Sequence, residues 1–108
     1  MSGIVTVYAV FANADEAARI ARSMVEERLA ACANILAPCT SLYRWQGAIE
    51  QAWEVPALFK TRADLAPGLI ERIAELHSYE VPAAVAWPIA QAPISYSAWV
   101  AAETKEQE

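Results

Sequence analysis

Histidine occurs once in this chain of 108 residues, cysteine twice and glycine three times. Each scarcity excludes something. A single histidine with scattered glutamates does not close a zinc- or copper-like centre on one chain, which takes about four ligands; a site shared across a symmetric interface could supply the rest. Cys32 and Cys39 have six residues between them, neither a redox pair nor a zinc-finger spacing. A reduced, cytoplasmic protein is the expectation. With so little glycine there is no phosphate-cradling loop and no nucleotide fingerprint, and no Ser/His/Asp set is evident. Basic residues number eight, lie scattered and are outweighed to a net charge of -5, which argues against nucleic acid as the partner. No apolar run reaches the ~20 residues that a membrane-spanning helix needs. Met1–Gly3 lacks a basic segment and Ile4–Ala12 runs into a polar turn, so no signal peptide is expected.

What is present is apolar: 56% of residues, although 24 of them are alanine. Alanine packs without supplying much area, so the core depends on Ile, Leu, Val and the ten aromatics. Four tryptophans are many for one small domain, and aromatics are enriched in buried interface patches.

Ile4–Phe11 reads as a β-strand. Asn13 with Glu16 forms a capping box for a helix over Ala14–Leu29, with Ala17, Ile20, Ala21, Met24 and Val25 on one face. From Ala31 the period becomes two, through Leu42, Tyr43 and Trp45, with a bulge or kink expected at Pro38. Gln46-Gly47 forms a turn. Residues 49 to 60 then alternate as a long half-buried strand with Ile49, Gln51, Trp53, Val55, Ala57 and Phe59 on its apolar side. Arms this long leave open edges that must be paired or covered. Asp64 or Thr61 caps a second helix striped with Leu65, Leu69, Ile73 and Leu76. His77 closes it, Val81–Ile89 is a further strand, and Ile94–Glu103 is a short C-terminal helix before a frayed tail (103–108). The chain is predicted to be one α+β domain over residues 1–108, a ferredoxin-like βαββαβ sandwich with a long central hairpin.

Three strings stand out. Glu27–Asn34 (ERLAACAN) suits close helix–sheet packing; Cys39, beside the Pro38 break, is the thiol more open to a soft metal. Tyr43–Glu50 (YRWQGAIE) is a hairpin tip whose aromatics suit either strand packing or a subunit interface. His77–Pro82 (HSYEVP) holds the lone histidine, which either caps a helix or serves as ligand or acid–base group with Glu80, Tyr79 or another subunit's carboxylate. Glu50, Glu54 and Lys60 line the polar side of the long strand, as a solvated face or as a pocket between subunits.

Together, and in this order, the three strings resemble the CutA family of divalent-cation tolerance proteins, from Val5 to about Thr104. The resemblance implies a homotrimer in which long arms pair between subunits, and a role in tolerance of copper and other divalent cations. It also implies likeness to PII-type signalling trimers. Departures from the family pattern are Ser78 after the histidine, Ala83 after the Val-Pro pair, Pro56 interrupting the long strand, and Phe11 where some members carry cysteine.

The expected function is divalent-cation tolerance or homeostasis, without enzyme activity and without a tightly bound cofactor. A weakly held divalent cation such as copper would be bound by His77 first, then Glu80, Cys39 and Glu54. The alternative is a small-molecule-sensing or protein-interaction trimer, with Lys60, Trp45, Glu50 and Tyr43 lining a cleft between subunits. An acylphosphatase is disfavoured because Phe11-Ala12-Asn13-Ala14 carries no anion-binding arginine.

Overall fold

The computed structural model describes residues 2–105. β1 (Ile4–Phe11) lies between two partners, antiparallel to both β4 (Ala48–Arg62) and β5 (Ala84–Pro88). β2 (Cys32–Ile35) pairs with the inner half of β4, so the sheet order is β2-β4-β1-β5. Helices α1 (Ala14–Glu26) and α2 (Ala66–Leu76) cover one face. The fold is the expected α+β ferredoxin-like sandwich. Val7, Ala9, Phe11, Ala57 and Phe59 from the sheet meet Ile20, Met24, Leu69 and Ile73 from the helices, all of them fully buried.

Local chemistry sets the ends of α1. Asn13 Oδ1 accepts the Glu16 amide at 2.8 Å, as the capping box requires. The helix stops at Glu26, three residues before the expected Leu29. Arg28 adopts a left-handed φ of 61°, and Leu29 N and Arg28 N bond Met24 O and Val25 O. This is a Schellman ending with arginine in place of the usual glycine. The Arg28 guanidinium donates to Ala102 O at 2.9 Å, tying α1 to α3 (Ile94–Glu103). The start of α2 also differs from expectation. Asp64 is held by Arg62, and Thr61 Oγ1 donates to Leu29 O at 2.7 Å, so neither caps the helix. A 3-10 turn over Ala63–Leu65 leads in instead, with Pro67 in the first turn.

The extended segment after Ala31 is two strands rather than one. β3 (Cys39–Trp45) pairs with the outer half of β4. Ile35 faces Ala57 and Cys39 faces Glu54, so Leu36, Ala37 and Pro38 oppose only Val55 and Pro56. That extra residue is a bulge, and it reverses the parity of the strand. Ile35 shares a face with the helix-side residues, while Cys39, four residues later, points to the opposite face. Pro56 does not interrupt β4, contrary to expectation. Its carbonyl accepts Leu36 N at 2.9 Å, and an extended residue's N–H and C=O point the same way. The missing N–H of Pro56 therefore faces the bulge, where no ladder donor is needed.

Beyond the bulge, β3 and the outer half of β4 form an arm, and the molecule measures 44 × 25 × 23 Å. The turn at its tip has positive φ at both central residues, Gln46 (48°) and Gly47 (83°), the two-residue hairpin type that matches strand twist. Gly47→Val is expected to cost about 1–2 kcal/mol in urea unfolding, through backbone conformation alone, because nothing lies within 4 Å of its would-be Cβ. The apolar side of β4 is buried only from Val55 inward. Ile49 is 70% and Trp53 74% exposed, so the expected half-buried pattern fails along the arm.

α3 packs on the sheet face away from α1 and α2, where Val100 meets Ile4 and Ala31. The last strand is shorter than the predicted Val81–Ile89. The tail expected to fray from 103 is anchored in its first part. Glu103 ends α3, Thr104 is buried, and Lys105 N donates to Arg28 O at 2.8 Å. Residues 106–108 of that expectation lie outside the described residues.

Candidate functional site

The parity reversal at the bulge decides where the arm's chemistry goes. Cys39, Ser41, Tyr43 and Trp45 share a face with their cross-strand partners Glu54, Ala52, Glu50 and Ala48. This is the face away from α1 and α2. At the base of the arm it meets the segment after α2, and a cleft of about 480 Å³ opens there. Tyr43, Trp45 and Tyr79 supply aromatic surface, and Glu50, Glu54 and Glu80 supply carboxylates. Among the described residues lining it there is no lysine, arginine or histidine.

Glu54 is 7% exposed, and its Oε2 accepts the Tyr79 hydroxyl at 2.8 Å. Tyr79 is the only hydrogen-bond donor to this carboxylate among the described residues. Burial, then the bond to Glu54, pushes the Tyr79 hydroxyl far above the usual tyrosine range, so it stays a donor. Tyr8, on the same sheet face, is also raised, by burial and then by Cys39 and Glu54. It stacks on Trp87 with ring centroids 5.2 Å apart.

His77 sits behind this arrangement rather than in it. Its Nδ1 accepts Tyr79 N–H at 3.0 Å. That partner assigns the proton to Nε2, which donates to Val10 O at 2.7 Å. The ring is 8% exposed and stacks on Phe11, with centroids 5.1 Å apart. Both nitrogens are committed, so His77 offers no lone pair to an ion, and its expected place at the head of the ligand set is corrected on that ground. It does not cap α2 with its side chain either. Its work is positional: it holds the Tyr79 backbone, and Tyr79 holds Glu54.

The other predicted residues divide. Tyr43, Trp45, Glu50, Glu54 and Glu80 come together in the cleft. Cys39 is half-buried across from Glu54, with Sγ 3.8 Å from Ser41 Oγ. Lys60 does not join them. It stands six positions along β4 from Glu54, roughly 20 Å at strand rise, and donates to Asn34 Oδ1 at 3.1 Å. Within one chain it takes no part in this cleft; the anion-holding role expected of it belongs to a pocket between subunits. Cys32 lies under α3, 3.5 Å from the Tyr96 hydroxyl, which burial and then Cys32 push up to about 12.

The expectation also missed Glu16 as a tertiary residue. One oxygen accepts Ala12 N at 3.0 Å and the other accepts Ser78 N at 2.9 Å, so a helix cap also anchors the loop that carries Tyr79. The capping-box spacing flagged the residue, but its distant partner has no sequence signal.

Among the described residues, no three His, Cys, Asp or Glu side chains converge closely enough to hold a metal ion. The described residues of one chain therefore do not supply a closed coordination site. Among the described residues, no helix is long and apolar enough to cross a membrane.

Fold and site define a class: a small ferredoxin-like α+β protein whose central hairpin is drawn out into an arm over an acidic, aromatic cleft. The family model of the CutA1 divalent ion tolerance protein matches residues 5–103, and the chain belongs to that family. It is 47% identical over 91 residues to the divalent-cation tolerance protein CutA of Thermus thermophilus, covering 83% of this chain and 88% of that one. The Thermus structure superposes with a TM-score of 0.90 at 41% identity, over 94% of this chain and 99% of the other. Human protein CutA is 42% identical over 88 residues, 82% of this chain, but this chain spans only 49% of the human protein's length. A CutA structure from Archaeoglobus fulgidus, described as periplasmic, matches with a TM-score of 0.87 at 33% identity, over 90% and 94% of the two chains.

Proposed function

We propose that this protein acts in divalent-cation tolerance as a homotrimer that holds divalent cations weakly, with the carboxylates of the arm-base cleft as its ion-facing groups. The observation that carries the reading is the wholly acidic charge of that cleft, on a member of the divalent ion tolerance family. Glu54 and Glu80 are the first contributors, Glu50 joins them, and Cys39 offers a softer donor across from Glu54. Because no three donors converge among the described residues, a cation is held with much of its hydration, or completed by a second copy. No catalytic step is assigned.

Assembly is supported by the arm. Ile49 and Trp53 project from its side opposite the cleft and are 70% and 74% exposed. Such apolar surface on an open-edged arm calls for a partner. Cytoplasmic residence accompanies the reading and is supported by two free cysteines.

Copper(II) titration by calorimetry, with light scattering on the same samples, tests the proposal. The mass of three chains is expected. Glu80→Gln and Glu54→Gln are expected to lower copper affinity fivefold or more, and His77→Ala to lower it less than either, because His77 acts only through Tyr79. A larger loss in His77→Ala than in either glutamate variant, with an unchanged trimer, would reverse the ligand assignment. A monomeric mass at micromolar concentration would remove the trimer.

A second reading, small-molecule sensing, is favoured by one observation: the cleft is far larger than an ion requires.

A further inference from the structure

We infer that the segment after α2, residues 77–83, is a proton-sensitive latch that opens when His77 takes up a proton at Nδ1. The device is independent of any bound ion.

The segment hangs on side chains. Among the described residues, no backbone–backbone hydrogen bond reaches residues 78–83. Glu16 Oε2 accepts Ser78 N at 2.9 Å, His77 Nδ1 accepts Tyr79 N at 3.0 Å, and the Tyr79 hydroxyl donates to Glu54. Both amide anchors are titratable acceptors, and each accepts only while that atom carries no proton.

His77 has no spare geometry. Its Nε2 faces the Val10 carbonyl at 2.7 Å, and its Nδ1 faces the Tyr79 amide. A carbonyl demands a donor and an amide demands an acceptor, so only the neutral Nε2–H ring satisfies both. The imidazolium carries N–H on both nitrogens. One of them then points at the Tyr79 N–H, and that amide loses its partner. Turning the ring over changes nothing, since either nitrogen is then a donor. The ring is 8% exposed and lies against Phe11 and Tyr79, with centroids 5.1 and 4.7 Å away. It reaches water only if the segment moves.

The groups around the ring come from several elements. Glu16 of α1 interacts with it electrostatically. Glu54 of β4 and Tyr43 of β3 act on Tyr79, and Glu80 follows Tyr79 on the segment itself. β1 contributes Val10 and Phe11, which do not titrate. Burial pushes the Glu16 carboxyl up, but the bonds from Ser78 and Ala12 carry it below its ordinary range. Burial and Glu54 hold the Tyr79 hydroxyl above its own. Both therefore keep their charge state while histidine titrates. The Glu16 carboxylate attracts a proton to the ring, and the Tyr79 amide has to give way to it. Opening carries Tyr79 off Glu54, so one proton on a buried ring uncouples the base of the arm from α1 and β1.

The test follows the full chain by NMR, with EDTA present, between about pH 8 and pH 5, the range in which histidine changes charge. At the upper end the ring is expected to show the Nε2–H tautomer. Toward the lower end, protection of the Tyr79 amide against hydrogen exchange is expected to fall about tenfold or more, in step with ring protonation. Amides of β1 and β4 should keep their protection. His77→Asn retains an acceptor for the amide two residues on, as an Asx turn, but takes up no proton. Tyr79 protection in that variant should be level across the range, whereas Glu16→Gln should keep the step. An Nδ1–H tautomer at the upper end overturns the proposal, as does a ring that stays neutral throughout. So does level Tyr79 protection in the wild type as the ring protonates, and so does a step that persists in His77→Asn. Equal loss across β1 and β4 is global unfolding and overturns it too. A step missing from Glu16→Gln moves the switch to the carboxylate and overturns the assignment to His77. The wild-type measurements decide the matter even if a variant fails to fold.

Discussion

Replacement of Phe11 by alanine is expected to lower the unfolding free energy by about 3–5 kcal/mol, the range for a fully buried aromatic. Phe11 is the last residue of β1, at the point where sheet, α1 and the loop after α2 meet. Its ring lies edge-on to Phe59 at 6.4 Å and flat against His77 at 5.1 Å. Neither neighbour can collapse into the space: Phe59 is fixed on the central strand β4, and His77 is held at both nitrogens. The cavity therefore persists, and the cavity cost adds to the lost transfer energy. Urea unfolding checks the magnitude; a loss below 1 kcal/mol would show that the site relaxes freely. The same substitution is expected to weaken ligand binding in the cleft, because His77 loses the ring that orients it. Phe11→Cys should destabilise for the same reason.

Glu16→Ala is expected to cost about 2–4 kcal/mol, since it strands two amide donors, Ala12 N and Ser78 N. The effect should depend on pH with a definite sign. Burial pushes the Glu16 carboxyl up, but the hydrogen bonds from Ser78 and Ala12 outweigh it, and the net shift is downward. A lowered folded value means that the carboxylate stabilises the protein above the ordinary glutamate range, about 4.3. The contribution is lost as pH falls through that range toward the folded value. Wild type should therefore lose stability between about pH 5 and pH 3 more steeply than Glu16→Gln. Parallel curves for the two proteins would show that Glu16 is not the anchor described here.

Much of the fold was legible because it is written in local chemistry. Ile4–Phe11 shows its strand in β-branched residues, Asn13 and Glu16 show the cap at the right spacing, and Gln46-Gly47 shows the tip. The helix end at Arg28 was not legible, because an arginine carries no local signal for a left-handed turn, and the partner of its guanidinium, Ala102 O, comes from the far end of the chain. The arm was legible as length but not as exposure. Ile49 and Trp53 continue the alternation of Val55 and Phe59, and period cannot show where the covering helices stop. The cleft was half legible. Tyr43, Glu50 and Glu54 share a face by simple alternation, and Glu80 joins through tertiary folding. Lys60 obeys the same alternation but stands too far along β4. His77 looked like a ligand because it is alone and polar; its partners are a backbone carbonyl and a backbone amide, which have no sequence signature.

The bulge opposite Pro56 also separates how far the arm reaches from what the body does. Inside it, β4 is locked between β1 and β2; outside it, β4 has only β3. Adding one residue pair to each arm strand preserves every face assignment and moves the tip outward by roughly 7 Å. Removing a pair draws it in by the same step. Within this architecture the span of the arm is a quantity adjustable in whole pleats, while the packed half and the floor of the cleft keep their register.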